Sequence, residues 1–147
     1  MMKKLICVMI AGMLLLGGCA EPEEKNAVCK VTTDEMTEEM TLQALDDEVL
    51  SVKSIMKLPF SQYGISTDEE KALFRGQMLE GLHYEGVKVE DKSTADEFIM
   101  ELTINFDEVS YQDLVALGMM SESDVDSEMI SLSKTLEGLT AGGYTCE

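Results

Sequence analysis

Basic residues are scarce in this chain. Eleven lysines and arginines stand against 29 aspartates and glutamates, a formal net charge of −18 over 147 residues. Phosphate binding needs clustered cations, and none cluster past residue 4, so no nucleic-acid partner is expected. The same sign resists docking on anionic headgroups, so residence at a membrane would need a covalent anchor. Histidine occurs once, as His83. A catalytic triad or a zinc site needs histidine with matched partners, and one at the end of an expected helix supplies none. Cys-x-x-Cys, Gly-x-Ser-x-Gly, P-loop and Rossmann patterns are all missing. The acidic stretch "ESDVDSE", residues 122–128, spaces Asp124, Asp126 and Glu128 like oxygen ligands. A calcium loop starting there would need glycine at Met129 and glutamate at Thr135, so helix-terminal charge is the better reading. The expectation is therefore no catalytic residues, no metal ligands, no cofactor and no enzyme.

Long apolar runs are also missing. The greasiest segment, "LICVMIAGMLLL" (residues 5–16), has twelve residues, too few for a membrane span of about 20. It follows "MMKK" and precedes "GGC", the order of a secretory signal. Leu16-Gly17-Gly18-Cys19 resembles the bacterial lipobox. That resemblance implies cleavage before Cys19 and a diacylglyceryl group, with palmitate-type chains, on its thiol. A general secretory signal that happens to hold a cysteine is the alternative. One acyl chain anchors only marginally, whereas two hold durably. Residues 1–18 are thus expected to be a signal peptide. Residues 19–27 ("CAEPEEKNA") are expected to be the lipidated cysteine and a polar tether, and residues 28–147 one domain. Removal of the signal also removes Lys3 and Lys4, leaving nine basic residues against 29 acidic ones. The expected location is the extracytoplasmic face of the cell membrane, or the outer membrane if the host is Gram-negative.

Four cysteines are present. Cys7 leaves with the signal and Cys19 takes the lipid, so Cys29 and Cys146 remain as an even pair in an exported protein. Export permits a disulfide between them. Free thiols are the alternative reading, and the missing Cys-x-x-Cys spacing gives redox work little support.

Strands are expected at 28–34, 39–49 and 49–60, the last with Leu50, Val52, Met56 and Leu58 on one face and Lys53 and Lys57 on the other. Asp46-Asp47 marks a turn between them. A helix opens at Thr67-x-x-Glu70, a capping box, and its Phe74, Met78 and Leu82 recur along one stripe. Strands follow at 86–91 and 97–109, where Phe98, Met100, Leu102, Ile104 and Phe106 alternate with polar residues. Residues 111–120 read as a helical turn or loop. A second helix is expected over 124–139, with Met129 in its apolar stripe, stopped by Gly142 and Gly143. Most of the twelve methionines are expected to be packing residues, Met119-Met120 being a lone loop pair.

The order β-β-β-α-β-β-α points to an α+β domain, an antiparallel sheet of about five strands with two helices packed on one face. The lipobox, the three-strand meander, "EFIMELTINFDEVSYQDLVAL" and "ISLSKTLEGLTAGGYTCE" together resemble the YehR-like family of small bacterial lipoproteins. The resemblance implies an α+β lipoprotein domain whose role is unassigned, and it brings no site residues. The function expected is a non-enzymatic binding or interaction module of the envelope, offering a polar, acidic sheet face to an unknown protein or small-molecule partner. The alternative is a ligand- or cation-binding accessory of an envelope transporter.

Overall fold

The computed structural model describes residues 20–120 and 129–147. Three strands, β1 (Glu24–Thr32), β2 (Thr37–Leu45) and β3 (Glu48–Pro59), form the expected meander. Helix α1 (Asp68–Leu79), β4 (Val87–Asp91), β5 (Glu97–Asn105), α2 (Tyr111–Ala116), α3 (Leu132–Ala141) and β6 (Thr145–Cys146) follow. The open sheet is antiparallel throughout, in the order β4-β5-β3-β2-β1-β6. The sixth strand is only two residues long, which hides it from any periodicity.

Alternation decides which face is covered. The register sets Ala27 beside Leu42, Leu42 beside Val52 and Val52 beside Ile104, so these four side chains share one face. All four are buried, as is Phe98, three repeats of the alternation from Ile104 along β5. Three helices lie over that face, through Phe74 and Met78 of α1, Leu114 of α2, and Leu132, Leu136 and Leu139 of α3. A sheet with one greasy side needs such a cover.

α1 starts where its capping box places it. Thr67 Oγ1 accepts from Glu70 N at 3.2 Å, and Glu70 Oε2 accepts from Thr67 N at 3.0 Å. Those backbone donors, Thr67's first, hold the Glu70 carboxyl below its usual range. Further along, Gly86 sits at φ +79, and a Cβ there would lie 2.6 Å from the backbone nitrogen of Val109. Only glycine allows that approach of chain to chain.

Four expectations shift. β1 begins at Glu24, because Glu24–Ala27 pair with Leu42–Leu45 and Ala27 is buried; residues 24–27 of the expected tether thus belong to the sheet. In β3 the register slips opposite Gln43 and Ala44, so Val49 (2% exposed) enters the core and Leu50 is half-buried. β5 ends at Asn105, where the chain turns toward α2. The last helix begins at Leu132, capped by Ser131, because Ile130 O accepts from Val49 N and holds the preceding backbone against the sheet. Residues 124–128 of the expected helix lie outside the described residues.

The two ends of the chain meet at β1 and β6. Val28 and Glu147 exchange backbone hydrogen bonds of 2.9 Å, which makes the neighbouring Cys29 and Cys146 a pair without backbone bonds, the closer kind. Their Cα atoms are 4.0 Å apart and their sulfurs are joined.

Candidate functional site

A polar seam divides the covered face. Along β3, Ser54 lies between Val52 and Met56, and its hydroxyl donates to Glu38 Oε1 at 2.6 Å. Tyr144, just beyond α3, donates its hydroxyl to the other oxygen of Glu38. A carboxylate under the helices is tolerable because hydroxyls satisfy both of its oxygens. Burial, reinforced by the Glu38 carboxylate, pushes the Tyr144 phenol up to about 12.

On one side of the seam lies a core built from rings. Phe60 and Phe98 are buried, and Phe74 of α1 meets both edge-on, with centroids 6.1 and 5.7 Å away. Met36, Met56, Met78 and Met100 fill the remaining gaps.

The other side holds a half-open cavity of about 520 Å³. Its floor is Leu42, Val49 and Val52 of the sheet, with Met40 beside them and Phe106 at the end of β5. Met119 and Met120 close it from the end of α2, while Met129, Ile130 and Leu139 close it from the α3 side. Ser131, Lys134 and Thr135 of the first turn of α3 supply the polar part of the wall. The size falls within the roughly 300–1,000 Å³ of small-molecule pockets, and an apolar lining with a few polar groups is their usual composition.

That polar rim is fixed from the opposite end of the sequence. Asp47, in the β2–β3 turn, accepts from the Ser131 hydroxyl at 2.5 Å and from Ser133 N at 2.8 Å. These bonds, the Ser131 hydroxyl first, lower the Asp47 pKa from its ordinary value. Thr135 Oγ1 donates to Ser131 O at 2.7 Å. The β2–β3 turn also takes hold of the segment before β1: Glu23 N donates to Asp46 Oδ1 at 3.0 Å, and Asp46 N donates to Glu23 O at 2.7 Å. The segment before β1, the β2–β3 turn and the pocket rim thus occupy one end of the sheet.

The lining residues include no carboxylate, imidazole or thiol; the groups in it that could bear chemistry are the Ser131 and Thr135 hydroxyls and the Lys134 amine, none of them beside a carboxylate or imidazole base within the lining. Among the described residues, no three His, Cys, Asp or Glu side chains converge as a metal site, and no helix is long and apolar enough to cross a membrane. Cys19 and the "ESDVDSE" stretch lie outside the described residues. His83 is exposed after the turn that ends α1. Sequence reasoning missed the pocket: it set Met119-Met120 apart as a loop pair and Met129 in a helical stripe, whereas all three join Met40 around one cavity.

The uncovered sheet face differs from the expectation as well. It is polar, and several of its charges are paired: Lys30 with Glu39 at 3.0 Å, Lys53 with Glu101 at 3.0 Å, and Lys88 with Glu90 at 2.7 Å. Lys30 and Glu39 are direct cross-strand partners, Lys53 reaches Glu101 diagonally, and Lys92 bridges Glu90 and Glu101, which the register sets opposite each other, so acidic and basic groups are interspersed on this face.

The family described as "Protein of unknown function (DUF1307)" matches residues 29–145, and the chain belongs to it. The NMR structure of Escherichia coli YehR is similar, with a TM-score of 0.69 at 20% identity over 85% of this chain and 91% of that one. An NMR structure of a protein from Streptococcus pneumoniae TIGR4 matches with a TM-score of 0.50 at 17% identity, over 93% of each chain. At such identities the likeness carries the fold alone. No curated protein matches.

Proposed function

We propose that the protein is a non-enzymatic binding module of the bacterial cell envelope, anchored through a diacylglyceryl group on Cys19, and that the methionine-lined pocket is where it binds. The carrying observation is that lining: mostly apolar, about 520 Å³, and without a paired nucleophile and base among its residues. Thioether side chains are flexible and polarizable, so they adapt to an occupant where branched residues would fix one shape. The pairing of charges on the uncovered face favours the pocket over that face as the binding surface. The lipobox-like "LGGC" ending at Cys19 supports the anchor, and the family's unassigned role leaves the ligand to chemistry.

The test is the intact mass of the protein extracted from native membranes, with and without reduction. The expected mass is residues 19–147 plus a diacylglyceryl group, rising by two hydrogens when Cys29–Cys146 is reduced. An unlipidated full-length mass would overturn the anchor, and measurable turnover that depends on a pocket residue would overturn the non-enzymatic reading.

A further inference from the structure

Resting on that reading of Cys19 and the pocket, the geometry points to a ligand class: a single-chain anionic amphiphile, an acyl chain with a carboxylate head, taken from the membrane to which the protein is tethered. Three observations carry it. The first is location. Only Ala20 to Glu23 separate Cys19 from the start of β1, and Glu23 is bonded to Asp46 beside the pocket rim. Four residues span at most about 14 Å, so an anchored Cys19 keeps this end of the sheet close to the bilayer surface. The second is shape and polarity. The cavity is half-open and apolar at depth, with Leu42 and Val52 as its floor, which suits a tail inserted from one side.

The third is charge. The hydroxyls of Ser131 and Thr135 are already committed to Asp47 and to the Ser131 carbonyl, and Asp47 is itself held by Ser131 and Ser133. Lys134 is left to give the pocket wall its positive charge, and it is exposed. It stands in the first turn of α3, where the helix dipole adds to its charge and where a lysine does the helix itself no service. In a chain of net charge −18, the one charged side chain among the described lining residues is this cation, which suits an anionic head.

The experiment is calorimetric titration of residues 20–147, which carry every strand and core cluster described, with dodecanoate and with dodecyltrimethylammonium. Dodecanoate is expected to bind one to one, and the cationic amphiphile more weakly. Lys134→Glu, on an exposed helix position, is expected to weaken dodecanoate by at least about fivefold, and Thr135→Phe, which fills the cavity from α3, to abolish binding while thermal melting stays cooperative. No heat with dodecanoate would overturn the ligand class, as would equal affinity for both amphiphiles or an indifferent Lys134→Glu. If the soluble domain binds and the lipidated protein from membranes does not, the pocket houses the acyl chain of Cys19, and the membrane-borne ligand is wrong. Failure here leaves the intact-mass result standing, so anchor and ligand fall separately.

Discussion

The two halves of the covered sheet face are filled in opposite ways from the same number of methionines. On the α1 side, Met36, Met56, Met78 and Met100 pack into a core whose shape is set by Phe60, Phe74 and Phe98. On the α3 side, Met40, Met119, Met120 and Met129 surround open volume, with Met119 and Met129 more than 40% exposed. Stiff rings with edge-to-face contacts complete a solid interior, which fixes the orientation of α1. Around the cavity Phe106 is the one ring among the described lining residues, and the thioethers bound a space and do not fill it. The contrast separates a half that stabilises the domain from a half that has room for a ligand.

The largest expected effect concerns how the open half is held together at all. Cys29–Cys146 closes a separation of 117 residues and ties β6, just beyond α3, to the sheet. Replacing both cysteines by alanine should cost on the order of 4–5 kcal/mol by denaturant titration. The loss should be felt first in hydrogen exchange of α3, with α1 protected longer; simultaneous loss in both helices would mean the halves are not separable.

Next comes a matched pair of truncations. Phe98→Ala, at a fully buried ring, should destabilise by about 3–5 kcal/mol. Met129→Ala, at an exposed wall position, should stay within about 0.5 kcal/mol. Similar costs at the two sites would remove the distinction between core and wall.

The seam between the halves makes a smaller, pH-dependent contribution. The Tyr144 phenol, ordinarily near 10.0, is pushed up to about 12 in the folded protein. The folded state therefore holds this proton more tightly than the unfolded chain does. Its contribution is complete below pH 10 and is lost as pH rises toward 12. Melting temperature should fall over that window in the wild type, and Tyr144→Phe should flatten the slope. An unchanged slope would mean that other groups set the alkaline limit.

What was legible in the sequence follows from which contacts are local. The period-2 runs of β2, β3 and β5 and the Thr67–Glu70 box are local patterns, and they fall where the residues put them. The slip at Gln43/Ala44 was invisible because both Val49 and Leu50 are apolar and either could face inward. Polar Lys25 and Asn26 read as tether, although β2 continues far enough to pair with them. The pocket was the least legible feature. It depends on Val49 N meeting Ile130 O and on Asp47 meeting Ser131 across 84 positions, contacts that no window of residues displays. With those contacts hidden, the helical period over Met129, Leu132 and Leu136 looked continuous, and a pocket wall was mistaken for a helix face.

One spectrum addresses the division of the face most directly. Residues 20–147 contain eight methionines, four in each half, so methyl-labelled methionine gives eight probes in one NMR experiment. On addition of dodecanoate, the methyl signals of Met40, Met119, Met120 and Met129 should shift together. Those of Met36, Met56, Met78 and Met100 should stay in place. Shifts spread evenly over both groups, or confined to the α1 side, would contradict the account.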